Sequence, residues 1–147
     1  MNILDGKLVS KKIQEEIKKE VSTLSKKPCL LVILVGDDQA SQIYVSSKEK
    51  ACKRVGMESK TIVLEENISQ KELIKIIQKA NEDKNINGIL VQLPLPNHMN
   101  TKAVVGAIDP IKDVDGLNAV NQGKIMLGES GIVPCTPKGV IRLLDEY

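Results

Sequence analysis

Residues 30–35, LLVILV, form an unbroken run of leucine and β-branched side chains, and they constrain the fold more than any other stretch. A strand with one face in water alternates polar and apolar residues, whereas an unalternating run suits a strand covered on both faces. Residues 59–64 (SKTIVL) and 88–93 (GILVQL) read as two further strands. Between them lie two stretches of helical periodicity. One is residues 41–55, which Gly56 terminates after the Gly36-Asp37-Asp38 turn; the other opens at Ser69-x-x-Glu72, a capping box, and runs to about Asp83 on Leu73, Ile74, Ile76, Ile77 and Ala80. A third helix is expected over residues 5–26, with Asp5 as its cap, Leu8, Val9, Ile13, Ile17, Val21 and Leu24 as its apolar side, and Pro28 beyond its end. Strands and crossovers in this order predict an α/β three-layer sandwich, a mainly parallel sheet with helices on both faces.

Such sheets bind ligands beyond the carboxyl ends of their strands. That rim comprises Gly36 with the start of the 41–55 helix, the residues after Leu64, and Gln92 with the PLPNHMN turn. After residue 100 the pattern loosens into a short helix over 101–108, a glycine-spaced loop through Gly131, and Thr136-Pro137, which has the form of an N-cap followed by proline at the first helical position. Val140, Ile141, Leu143 and Leu144 then begin an apolar stripe that ends at Tyr147, as expected of a cut chain.

The 41–55 helix carries one anomaly. Val45, Ala51, Cys52 and Val55 share an arc with Ser41, Tyr44 and Lys48, so a lysine lies near the middle of a stripe that should face protein. Burial would lower its pKa toward a value useful for proton transfer; the alternative is a lysine that lays its methylenes on the stripe and keeps its ammonium in water. Tyr44 favours the first reading, because the chain has no Phe or Trp and its second tyrosine is terminal. Gln92 breaks an apolar strand at its carboxyl end, where its amide can serve the neighbouring loop, a ligand or Lys48. In Lys112-Asp113-Val114-Asp115-Gly116, each aspartate suits turn chemistry, and Asp115 suits a nitrogen-rich heterocycle with paired donors.

Other classes of function find little support. The net charge of +2, with no basic cluster interleaved with aromatics, gives no case for nucleic acid. The longest apolar run is too short to span a bilayer, and the first residues lack the order of a signal peptide. Cys29, Cys52 and Cys135 read as reduced thiols of a cytosolic protein, and one histidine leaves a Cys/His metal site unsupported. Gly36 is followed by Asp-Asp, so no glycine-rich phosphate loop can be drawn.

Four stretches, VGDDQASQIYVSSKEKACKRVGM, GILVQLPLP, KDVDGLNAVNQGKI and PCTPKGVIRLL, resemble in sequence and order the amino-terminal half of the bifunctional methylenetetrahydrofolate dehydrogenase/cyclohydrolase family. The resemblance implies that residues 1–147 are a folate-binding catalytic domain ending in a connecting helix, with a Rossmann-type NADP-binding domain outside this chain. It implies Lys48 as catalytic lysine, Tyr44 stacking on the aminobenzoate ring, Gln92 modulating the lysine, and Asp115 holding the pterin. It also places Ser41 near the substrate and the backbones of Val91, Gln92, Leu93, Pro94 and Pro134 along the cleft. The implied chemistry is oxidation of 5,10-methylenetetrahydrofolate with NADP and hydrolysis of the methenyl product to 10-formyltetrahydrofolate, with tetrahydrofolate species as substrate and no metal. A cytoplasmic homodimer is the implied setting, and a non-catalytic folate-binding or scaffolding module is the alternative.

Overall fold

Asp5 accepts the backbone N–H groups of Lys7 and Leu8 and starts α1, Gly6–Thr23, in a computed structural model that describes residues 3–147. The helix ends well short of Pro28, with extended backbone at Leu24. Next come β1 (Cys29–Val35), α2 (Gln39–Val55), β2 (Glu58–Leu64), α3 (Gln70–Glu82) and β3 (Gly88–Val91). Asp38 caps α2 through the Ser41 N–H, and Gly56 closes it in the left-handed region at φ 84°, a conformation that costs glycine nothing. The expected capping box at Ser69 and Glu72 is formed in both directions.

The three strands are parallel in the order β2-β1-β3, with Cys29 opposite Glu58 and Leu30 opposite Gly88. Alternate residues of β1 serve two layers. Leu31, Ile33 and Val35 meet Leu73 and Ile77 of α3 and Val104 of α4 (Thr101–Gly106), while Val32 and Leu34 meet Val45 of α2. Burying each of these large side chains contributes about 1.5–3 kcal/mol, which explains why β1 shows no alternation. The expected three-layer α/β arrangement is the one observed.

Beyond residue 106 the structure departs from the sequence reading. Residues 119–126 are a helix, α5 (Ala119–Met126), where a glycine-spaced loop was expected; its buried residue is Asn121, so it has no apolar stripe to announce it. The last helix, α6, spans Cys135–Asp145 with Pro134 at its cap position and no side-chain cap, so Thr136 and Pro137 lie inside the first turn instead of opening it. No residue of α6 is buried. It is tied to α1 by Lys12–Glu146 at 2.5 Å and by the Asp5 N–H, which donates to the Tyr147 hydroxyl at 3.1 Å. Among the described residues no helix is long and apolar enough to cross a membrane.

Residues 112–114 also differ from a free turn. Asp113 forms a parallel bridge with Ile89, and the Ile89 N–H donates to the Lys112 carbonyl at 2.7 Å. The segment therefore runs along the outer edge of β3. Gly88 makes this possible: a Cβ there would overlap Cγ1 of Val114.

Candidate functional site

The stripe of α2 is narrower than its sequence suggests. Ser41, Val45, Cys52 and Val55 are buried, Lys48 is half-buried, and Tyr44 is 63% exposed. Lys48 thus sits at the border of the buried face, not in its middle. Its amine does not end in open water: Nζ donates to Oε1 of Gln92 at 2.8 Å. The Tyr44 ring is one turn away, with its centroid 5.8 Å from the same nitrogen, a cation–π distance.

Gln92 follows the last residue of β3, and its N–H still pairs with the Ile33 carbonyl at 2.8 Å. Its side-chain Nε2 donates to the Leu93 carbonyl at 2.6 Å. That bond fixes the amide so that its oxygen, not its nitrogen, faces Lys48. Val91 is buried, Leu93 is half-buried, and Pro94 is exposed at the start of the following turn. Ser41 is buried beside Val45, which leaves it less accessible than Tyr44 and Lys48.

Asp115 completes the polar group. Burial pushes its carboxyl above the usual range; the Lys48 charge pulls it back, and Asp113 adds to the rise. Among the described residues its carboxylate has no hydrogen-bond partner, so turn chemistry does not explain it. Turn chemistry does explain Asp113, which is 1% exposed and accepts the Asn118 N–H at 2.8 Å. Pro134 lies next to this loop, since a Cβ on Gly116 would be 2.9 Å from its nitrogen. The Cys135 thiol, exposed at the start of α6, donates weakly to the Val114 carbonyl at 3.7 Å. Cys29 and Cys52 are buried free thiols, and burial raises the pKa of each.

The structure therefore brings Lys48, Gln92, Tyr44 and Asp115 to one side of the sheet, with residues 91–94 and Pro134 at its border. A flat ligand with an exposed ring to stack on, a cation near its reacting atoms and an unpartnered carboxylate for its N–H donors would use all four. Sequence reasoning did not find the bracing of the Asp115 loop by Lys112, Asn118 and Asn121. The spacing of two asparagines three apart, directly after the KDVDG segment, was its one available sign.

A dinucleotide phosphate does not fit the rim at the end of β1. The Ser41 N–H at the start of α2 is already taken by the Asp38 carboxylate at 2.7 Å. The adjoining depression, about 240 Å³, is lined by Asp37, Glu65 and Glu66 around Gly36. Carboxylates repel a phosphate where backbone N–H groups and cations are needed.

The family model described as tetrahydrofolate dehydrogenase/cyclohydrolase, catalytic domain, matches residues 4–115. The chain belongs to this family. It is 52% identical over 150 residues to the bifunctional protein FolD of Campylobacter hominis, covering 100% of this chain and 53% of that protein. FolD of Acetivibrio thermocellus is 52% identical over 147 residues, covering 98% of this chain and 52% of its own. Among solved structures, the bifunctional FolD methylenetetrahydrofolate dehydrogenase/cyclohydrolase of Campylobacter jejuni superposes with a TM-score of 0.99 at 48% identity, over 100% of this chain and 54% of its own. The Trypanosoma brucei enzyme, complexed with NADP cofactor and inhibitor, gives a TM-score of 0.92 at 36% identity, over 98% of this chain and 51% of its own. The chain thus spans about half the length of the relatives it matches.

Proposed function

We propose that residues 1–147 are the folate-binding, catalytic half of a methylenetetrahydrofolate dehydrogenase/methenyltetrahydrofolate cyclohydrolase. The observation that carries this is the Lys48 amine held on the Gln92 amide oxygen at 2.8 Å beside the exposed Tyr44 ring. Half-length coverage of the relatives and the poor fit of a phosphate to the Gly36 rim both support the reading that an NADP-binding domain belongs to the protein outside these residues. NADP as hydride acceptor, a cytoplasmic setting and a homodimer come with this reading, and so do the one-carbon needs of purine, methionine and histidine biosynthesis.

The hydrolytic step suits the residues present. In the methenyl cation the bridging carbon bears the positive charge shared by N5 and N10. Water attacks that carbon and loses a proton. The C–N5 bond then breaks with its electron pair on N5, which takes up a proton, while the hydroxyl gives up its remaining proton to form the formyl C=O on N10. Three proton transfers are needed near one carbon, two off the water oxygen and one onto N5, with one proton released overall. Lys48 supplies an amine for them, and Gln92 aims it by accepting one of its hydrogens. Tyr44 offers its ring to the aminobenzoate, and Asp115 offers an unpartnered carboxylate to the pterin N–H donors.

The direct test assays the full gene product for loss of methenyltetrahydrofolate absorbance and, by anaerobic calorimetry, for tetrahydrofolate binding. Asp115→Asn is expected to weaken binding about 30-fold, since it removes a charge-assisted pair of bonds. Binding with no hydrolysis would favour the scaffolding module; neither binding nor hydrolysis would end the folate reading.

Tyr44 permits a finer measurement. Tyr44→Phe keeps the ring and is expected to hold the dissociation constant within about two-fold, whereas Tyr44→Ala loses about 1.5 kcal/mol of stacking, or about ten-fold in affinity. Equal losses in the two variants would assign the work to the hydroxyl instead.

A further inference from the structure

The folate reading leaves one buried carboxylate without a task. Asp113 is 1% exposed, and no other Asp, Glu, Lys or Arg among the described residues is buried. Such burial costs several kcal/mol unless the carboxylate is hydrogen-bonded. A single oxygen, Oδ2, accepts both the Asn118 N–H at 2.8 Å and the Asn121 side-chain N–H at 3.0 Å. Asn118 is the cap residue of α5, so the negative charge lies at the positive end of that helix. The same two asparagines donate to the carbonyls of Ile108 and Pro110, each at 2.9 Å, and so tie α5 to the chain that leads into the loop.

Lys112 anchors the loop from the other side. Its ammonium donates to the carbonyls of Ala80, Asn81 and Asp83 at 3.0, 2.7 and 2.9 Å, covering the end of α3. With the bridge to Ile89, residues 112 and 113 are fastened to α3, α5 and β3 at once. Among the described residues the side chain of Asp115, two residues on, has no hydrogen-bond partner.

We propose that Asp113 is a positioning residue for Asp115: its buried carboxylate locks residues 112–116 against α5 and β3 and so holds the unpartnered Asp115 carboxylate toward Lys48. The motif then divides its labour, with one aspartate serving the protein and the other a ligand. This rests on Asp115 as a folate ligand, and the test separates the two claims. The charged groups that bear on Asp115 are Lys48 of α2 and Asp113 of its own segment. Asp113 raises the Asp115 carboxyl, so removing its charge lets Asp115 stay ionised to lower pH.

The test is anaerobic calorimetry of tetrahydrofolate binding across the acidic range, with the full gene product. Asp113→Asn can keep both hydrogen bonds, because one oxygen accepts both, and removes only the charge. It is expected to move the acidic loss of affinity to lower pH. Asp113→Ala releases the loop and is expected to weaken binding about ten-fold in protein whose fold is verified by circular dichroism. Should that variant not fold, Asn121→Ala, which removes one of the two donors to the Asp113 carboxylate, is expected to weaken binding in the same direction, and wild-type affinity there would overturn the proposal. A lower melting temperature with an unmoved acidic limb and wild-type affinity would overturn the proposal. Asp115→Asn is the control: weakened binding there with silent Asp113 variants sinks the positioning role only, and unchanged binding there sinks both claims.

Discussion

Replacing Lys48 with methionine is expected to slow methenyltetrahydrofolate hydrolysis by about a thousand-fold, the usual worth of a positioned acid–base group. Methionine keeps the length and the apolar stem of lysine, so its packing at the border of the α2 stripe survives. What disappears is, among the described residues, the only group that reaches the Gln92 amide oxygen, at 2.8 Å. Gln92 retains its bond to the Leu93 carbonyl, so the lost lysine bond is expected to cost only about 1 kcal/mol of stability. Tetrahydrofolate affinity is expected to change far less than turnover, because Tyr44 and Asp115 remain. Lys48→Arg separates charge from proton transfer: guanidinium keeps the positive charge but does not release a proton in this pH range. Loss of hydrolysis in both variants identifies proton transfer as the lysine's contribution. Recovery in Lys48→Arg would make it electrostatic, and full activity in Lys48→Met would remove Lys48 from the mechanism.

Lys48 and Gln92 were legible because each interrupts a pattern. A lysine on an apolar arc and a glutamine at the end of an apolar strand are costly unless they meet a partner, and here they partner each other. The three strands and the helices between them were legible for the same reason, since two periodicities, and their absence in β1, fix which faces are covered. The division of labour between Asp113 and Asp115 was not. Nothing in a D-x-D spacing says which carboxylate is buried; that follows from the bridge to Ile89 and from α5, contacts far apart in the sequence. α5 itself escaped notice because an asparagine takes the inward position that a leucine would have marked. The exposure of Tyr44 was also hidden: helical angles place it beside the stripe but do not say where the neighbouring layer ends.

Gly116→Ala is expected to have the largest effect on stability of any single methyl added near the site. Gly116 has φ +65°, in the left-handed region, and a Cβ there would stand 2.7 Å from the Ile132 carbonyl oxygen and 2.9 Å from the Pro134 nitrogen. Both neighbours are backbone, so neither can swing aside as a side-chain tip would. Conformational strain contributes about 1–2 kcal/mol and the overlap at least as much again, for a total of about 3 kcal/mol. In a domain of this size that lowers the melting temperature by about 10 °C, measurable by circular dichroism. Gly123→Ala supplies the contrast. Gly123 lies inside α5 with nothing within 4 Å of the added carbon, so alanine is expected to stabilise by about 0.5–1 kcal/mol through helix propensity. The consequence at the site follows from chain order: Gly116 is covalently next to Asp115, and pushing it off Pro134 displaces the carboxylate proposed to hold the pterin. The folded fraction of Gly116→Ala should therefore bind tetrahydrofolate about as poorly as Asp115→Asn, while Gly123→Ala binds it normally. Wild-type affinity in a destabilised Gly116→Ala would mean that the ligand does not depend on where this loop holds Asp115.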